Sequence, residues 1–281
     1  MPDADCLLNE ALEILDRAFD EHLASEMLPL YSGGNDSTCS TFVCSQHHRF
    51  RGTVYSIDTG IAVRASVNHL RSVCESFNWQ LDRRQSKDTY EAYVRAEGFP
   101  GPGRHQSIYQ RIKERVVRDW VNEARGGGRP VALVTGCRSS ESSRRMGHVA
   151  EIKRGSSIDE KTGRIRDPYQ LWVAPIANWT KRDRALFMTH HDLPLNPTTP
   201  WLGMSGECCC GAFASPDELD RIKRHAPEVA SEIDRLSVIA KSCGTPCKWG
   251  EAPPDQRKVT GPTGPLCHGC DRRLALFDTA S

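Results

Sequence analysis

Between residues 27 and 190, short apolar runs alternate with longer stretches whose apolar positions recur every three or four residues. The runs 27–31, 53–57 and 131–134 read as strands, with further candidates at 79–81 and 171–176. Helical spacing marks 6–23, where Leu8, Ala11, Leu12, Leu15, Ala18 and Phe19 share a face, and 65–77, where Val67, Leu70, Val73, Cys74 and Phe77 do. Segments 37–47, 107–124 and 181–190 also read as helices; Gly126-Gly127-Gly128 stops the second and Pro194 follows the third. The Gly- and Pro-rich stretch 98–103 is a loop, and the polar stretch 156–166 is a loop or hairpin. Strands alternating with helices predict an α/β fold, a doubly wound and mostly parallel sheet, and such sheets gather ligands at the carboxyl ends of their strands. Beyond Pro200 the pattern changes to one helix over 216–240 flanked by cysteines, then a Pro- and Gly-rich stretch over 244–265. The chain is expected to divide there, into 1–200 and a small cysteine-rich C-terminal module over 201–281.

Composition adds constraints more than identity. With 38% hydrophobic and 26% charged residues the 281-residue chain is ordinary for a soluble globular protein, and no segment nears the ~18 consecutive apolar residues of a membrane span. The acidic, amphipathic first twenty residues lack the basic start and apolar run of a signal peptide, so a cytoplasmic location without membrane contact is expected. A formal net charge of +1 gives no bulk attraction to nucleic acid. Any such attraction would rest on local cations: Arg83-Arg84, Arg111, Lys113, Arg115, Arg118 and Arg144-Arg145, four of them on the helix over 107–124.

Three motifs fall at predicted strand ends. The first, Ser32-Gly33-Gly34-Asn35-Asp36-Ser37, follows a strand and opens a helix. Its glycines let the backbone turn sharply and approach an anion, its amides and the helix N-terminus face that anion, and Ser32 and Ser37 add hydroxyl donors. Asp36 has the chemistry to hold Mg²⁺ or to cap the helix. The loop lacks the Gly-Lys-Ser/Thr ending of the Walker motif, which disfavours cleavage of a γ-phosphate. The other two are Asp58-Thr59-Gly60 and the stretch from Gly136 to Arg145.

The loop resembles the Ser-Gly-Gly-x-Asp-Ser signature of the PP-loop ATP pyrophosphatases, whose fold is adenine nucleotide α-hydrolase-like. Further segments are similar to the phosphoadenylyl-sulfate (PAPS) reductase branch of that superfamily: Ile57-Asp58-Thr59-Gly60, Gly98-Phe99-Pro100 with Ile112-Lys113, Gly136-Cys137-Arg138 through Arg144, Pro175-Ile176-Ala177-Asn178-Trp179-Thr180 and Leu193 to Pro197. The resemblance implies that 1–200 is a nucleotide-binding domain. Its nucleotide-binding residues would be Ser32, Gly33, Gly34, Asn35, Asp36, Ser37, Asp58, Thr59, Gly60, Gly136, Arg138 and Arg144, with Asp36, Lys113 and Arg138 catalytic. Arginine forks at 138 and 144 suit phosphate oxygens. Lys113 offers a point charge for the α-phosphate or leaving group, and Asp58 an acceptor for adenine or ribose.

Seven of the twelve cysteines lie after residue 207, spaced Cys208-x-Cys210, Cys243-x3-Cys247 and Cys267-x2-Cys270, with Cys209 between the first two. In a reducing compartment this clustering reads as metal or redox chemistry. Cys267-His268-Gly269-Cys270 has the form of a metal knuckle. Both Zn²⁺ and a [4Fe–4S] cluster fit four thiolates. The expected ligands are Cys208 or Cys210, Cys247, Cys267 and Cys270, with Cys243 in reserve; a spare cysteine would carry sulfur, and the resemblance favours iron–sulfur. The tail reads Cys270-Asp271-Arg272-Arg273-Leu274 where assimilatory reductases carry Glu-Cys-Gly-Leu-His, so the chain is more similar to phosphorothioation-type PP-loop proteins. That resemblance implies an ATP- and Mg²⁺-dependent adenylating sulfurtransferase acting on DNA, or next on RNA, with a cysteine desulfurase as sulfur donor. Alternatives from other classes are a sulfonucleotide (PAPS or adenylyl-sulfate) reductase and a non-catalytic nucleotide-binding module with structural Zn²⁺.

Overall fold

The computed structural model describes residues 3–139, 149–155, 157–158, 165–257 and 266. Its elements run α1 (Ala4–Asp20), β1 (Met27–Pro29), α2 (Asn35–Gln46), β2 (Thr53–Asp58), α3 (Arg64–Ser76), β3 (Gln80–Gln85) and α4 (Tyr90–Glu97). There follow α5 (His105–Tyr109), a π-helical turn (Gln110–Glu114), α6 (Arg115–Ala124), β4 (Val131–Val134), β5 (Ile152–Arg154), the short pair β6 (Ser157–Ile158) and β7 (Ile165–Arg166), and β8 (Gln170–Val173). The last helices are α7 (Lys181–His190), α8 (Thr199–Leu202), α9 (Glu218–His225) and α10 (Pro227–Ser242).

The central sheet has the order β1-β4-β8-β5, in which β4 pairs parallel with both β1 and β8 while β5 runs antiparallel on β8. A parallel bridge between Leu30 and Tyr55 brings β2 alongside β1, and β3 pairs with β2. The fold is therefore α/β with a mostly parallel sheet. In β4, Ala132 and Val134 point into one core with Leu171 and Val173 of β8, under α1, α2 and α7. Val131 and Leu133 are just as buried, so the sheet is covered on both faces, as a parallel sheet must be. Small residues on α2, among them Ser37, Thr38, Cys39, Ser40 and Thr41, let that helix lie close to the sheet.

Two compact units emerge. One holds residues up to Ser56, Val73–Asp82 and Val117–Leu195; the other holds Ile57–Ser72, Arg83–Val116 and the chain from Asn196 onward. This division differs from the expected boundary between 1–200 and 201–281. The apolar faces of α9 and α10 (Ile222, Val229, Ile233, Leu236, Ala240) share a core with Tyr90, Tyr93, Val94, Phe99, Ile108 and Ile112. A helix pair needs such a partner to bury its apolar stripe.

The strands and most helices lie where periodicity places them, and α7 has the expected bounds. The helix expected over 216–240 is two helices. Ala226 sits at φ −143°, ψ 64° because Pro227 disfavours helical backbone in the residue before it. The helix over 107–124 starts at His105 and carries the π turn. Helix α4 and strand β5 are additions; α4 is announced by its N-cap Thr89, which accepts from the Ala92 amide. The polar stretch 156–166 contains the antiparallel pair β6–β7. Among the described residues, no helix is long and apolar enough to cross a membrane.

Candidate functional site

The loop after β1 belongs to the first unit. Gly33 turns with φ 71°, the left-handed region open to glycine, and Gly34 is the extended N-cap of α2. The Gly34 carbonyl accepts from the Thr38 amide (2.8 Å), the Thr38 hydroxyl (3.0 Å) and the Ser37 hydroxyl (2.9 Å). Ser32 Oγ lies 3.0 Å from Ser37 Oγ and accepts from the Gly34 amide at 3.4 Å. Both hydroxyls thus stand beside the positive end of α2, where an anion is favoured.

Asp36, in the first turn of α2, is gripped by two arginines. Arg138 donates from Nε to Oδ1 at 2.5 Å and from Nη1 to the Trp179 carbonyl at 3.3 Å; its side chain is fully enclosed. Arg184, on α7, donates from Nη1 to both Asp36 oxygens at 3.3 Å and is 24% exposed. Gly136, past the end of β4, packs against the loop backbone. A Cβ there would stand 2.6 Å from Asp36 C and Ser37 N, so its bare Cα is what lets the loop backbone lie against the sheet. One turn deeper on α2, burial pushes the Cys39 thiol well up, Asp36 adding to the rise and Arg184 and Arg138 opposing it.

The second unit carries the other candidates. Asp58, ending β2, accepts from the Gly60 amide at 3.0 Å and from Arg83 at 2.5 Å. Thr59 is buried and spends its hydroxyl on the Glu207 carbonyl at 2.7 Å. Lys113, in the π turn and 2% exposed, donates to Glu207 (3.1 Å) and to the Leu266 carbonyl (3.0 Å). A π turn inserts a residue into the helical register, and such insertions are frequent at functional sites; here it places Ile112, Lys113 and Glu114 together in the interior.

Glu207 leads into the cysteine triplet, whose backbone is fixed on several sides. Ile61 accepts from the Cys209 amide (2.8 Å), the Trp249 indole donates to the Cys209 carbonyl (2.9 Å), and the Tyr90 hydroxyl donates to the Cys210 carbonyl (2.8 Å). Burial drives the Tyr90 hydroxyl pKa far up, and the neighbouring thiols of Cys210, Cys208 and Cys209 raise it further. Cys208, Cys210 and Cys247 are half-buried against the second unit's core, while Cys243 is exposed at the end of α10.

Arg144, Cys267 and Cys270 lie outside the described residues. Among the described residues no three cysteine sulfurs come within ligand distance of one another, so a four-thiolate site would have to draw on Cys267 and Cys270. The group that does cluster is Asp16, His47 and His48. There His47 donates from Nε2 to Asp16 (3.0 Å), since its Nδ1 accepts the Arg49 amide (3.1 Å). A metal on Nε2 would move the ring proton to Nδ1, against that amide, so the trio reads as structural.

Sequence reasoning missed Arg184 and Glu207. Arg184 had no signal beyond its place just after Trp179-Thr180, and Glu207 none beyond its place before the cysteines. The basic helix face also resolves differently from expectation: Arg111 pairs with Glu97, Lys113 with Glu207, Arg115 with Asp88 and Arg118 with Asp167. Acidic partners from neighbouring segments neutralise the stripe.

A family model, the phosphoadenosine phosphosulfate reductase domain, matches residues 26–199, more than half of the chain. Among solved structures, the phosphate complex of phosphoadenylyl-sulfate reductase from Candida auris is 16% identical, covering 70% of this chain and 89% of that one at a TM-score of 0.46. The NH3-dependent NAD synthetase of Campylobacter jejuni subsp. jejuni NCTC 11168, in complex with nitrate, is 12% identical over 86% of this chain and 95% of that one, TM-score 0.50. FMN adenylyltransferase from Candida glabrata, with FMN and AMPCPP, is 14% identical over 71% of this chain, which spans 60% of that longer protein, TM-score 0.44. No curated protein matches. At these identities the structural likeness is one of fold, whereas the family model rests on the sequence that builds the loop and strands described above. The chain belongs to the phosphoadenosine phosphosulfate reductase domain family.

Proposed function

We propose that the chain binds ATP on the loop 32–37, cleaves it between the α- and β-phosphates, and passes the adenylyl group to a substrate oxygen that sulfur then replaces. The observation that carries this reading is the loop itself. Two hydroxyls, a helix N-terminus and two guanidiniums on the Asp36 carboxylate converge on it, donors of the kind that suit a polyphosphate. Mg²⁺, when bound, would neutralise the phosphates as pyrophosphate leaves, and Asp36, the carboxylate of that turn, would hold it on release from an arginine, since Arg138 and Arg184 occupy its oxygens. Lys113, a catalytic candidate of the same reading, is paired with Glu207.

The iron–sulfur assignment to Cys208 or Cys210, Cys247, Cys267 and Cys270 belongs to the same reading. So do a DNA or RNA acceptor, a cysteine desulfurase donor and a cytoplasmic location. The neutralised helix face supports the acceptor less than the sequence does. The second reading, reduction of a sulfonucleotide, is favoured by the family match over 26–199.

Anaerobically purified chain, assayed for iron, sulfide and zinc, separates these readings. Pyrophosphate released from Mg-ATP, with iron and sulfide present, is the expected result. Sulfite formed from phosphoadenylyl sulfate with thioredoxin, and no ATP cleavage, would replace the first reading by the second. Zinc with neither activity would leave a binding module.

A further inference from the structure

Two arginines meet Asp36, and they are not equivalent. Arg138 is enclosed and committed, with Nε on Asp36 at 2.5 Å and Nη1 on the Trp179 carbonyl. Arg184 is partly exposed. A single nitrogen, Nη1, spans both Asp36 oxygens at 3.3 Å, long beside the ~2.7–2.9 Å of a strong charge-assisted bond. Its Nε is buried and makes no hydrogen bond among the described residues. Of the five N–H donors of a guanidinium, most are therefore uncommitted.

The backbone beneath Arg184 is fixed. Thr180 and Asp183 form a reciprocal capping box at the start of α7, and the Arg184 amide donates to the Thr180 carbonyl at 3.1 Å. The side chain can therefore swing from a rigid base.

We propose that Arg184 is the guanidinium that ligates the anionic end of the bound nucleotide, held toward the loop by Asp36 while Arg138 serves as the fixed anchor. This rests on the assignment of loop 32–37 as the ATP site. Through Asp36 the Arg184 guanidinium stands at the first turn of α2, where a helix N-terminus favours a phosphate group. Arg138 can turn to a ligand only by abandoning Asp36 or Trp179 inside the protein; Arg184 gives up a long, bifurcated contact at the surface.

The test is calorimetric titration of the full chain with inorganic pyrophosphate and with ATP, in buffer containing Mg²⁺, for the wild type, R184A and R184K. R184A is expected to weaken pyrophosphate and ATP at least tenfold with the thermal midpoint nearly unchanged, and R184K, which keeps charge without the fork, to recover part of the loss. Should R184A fail to fold, R184Q, which retains an N–H donor toward Asp36, carries the same comparison. Wild-type binding with undiminished affinity in R184A overturns the role of Arg184 and leaves the ATP reading standing. No binding of pyrophosphate or ATP by the wild type overturns both.

Discussion

Replacing Gly136 by Ala tests whether the sheet positions the loop 32–37 and, through it, the proposed ATP site. The added Cβ would stand 2.6 Å from Asp36 C and from Ser37 N, and 2.7 Å from Asp36 O, all backbone atoms that cannot rotate away. Ordinary contact begins at 3.4 Å, so 3.4 − 2.6 leaves about 0.8 Å by which the first turn of α2 must retreat from β4. Overpacking of this kind costs about 1–3 kcal/mol, enough to lower the midpoint by roughly 2–10 °C without unfolding the chain. The functional effect is larger, because a misplacement near 1 Å in a reacting geometry can cost on the order of a hundredfold in rate. Thermal denaturation alongside pyrophosphate release from ATP reads both. A G136A chain with wild-type midpoint and wild-type turnover would refute the idea that this close approach sets the loop.

Other outcomes follow from the charged pairs and the histidines. Asp36→Ala removes one partner of an enclosed guanidinium and should destabilise by about 3–5 kcal/mol while abolishing pyrophosphate release; release at the wild-type rate would remove Asp36 from the site. Lys113→Met removes a buried cation from Glu207 and should destabilise, whereas Lys113→Met with Glu207→Gln should recover part of the loss; additive losses in urea denaturation would show the two uncoupled. His47, His69 and His191 all have pKa values pushed below 6.5, burial being the largest cause in each. For a base whose folded pKa is depressed, stability is full above the unfolded value and is lost as pH falls from 6.5 through the folded values. The urea midpoint should therefore drop between pH 7 and pH 5, and His47→Gln should flatten that slope.

Local patterns made much of the protein legible. The buried parallel strands announce themselves as apolar runs, because a strand covered on both faces has no polar side to show. The loop 32–37 is readable because a sharp strand-to-helix turn requires small residues at fixed places, and Gly136 is readable as part of a motif, although its close packing on that loop is not. Turn and cap chemistry explains the break at Pro227, which the apolar period across 216–240 conceals.

What the sequence could not carry is pairing across distance. Arg184 is 148 residues from Asp36, and Lys113 is 94 from Glu207; periodicity reports which face of a helix is buried, never which charge waits opposite. The same holds for the basic stripe on the helix from His105 to Ala124, in sequence a cluster of cations that could offer local attraction to nucleic acid and in the structure a set of ion pairs with Glu97, Asp88 and Asp167. Sequence by itself thus determined the fold class, the loop and the kinds of residue available for chemistry, since those depend on steric and hydrophobic preferences of neighbouring residues. Only the tertiary structure decided which cations are consumed by carboxylates and which keep donors for a ligand, because electrostatic partnership depends on separation in space, and folding sets that separation.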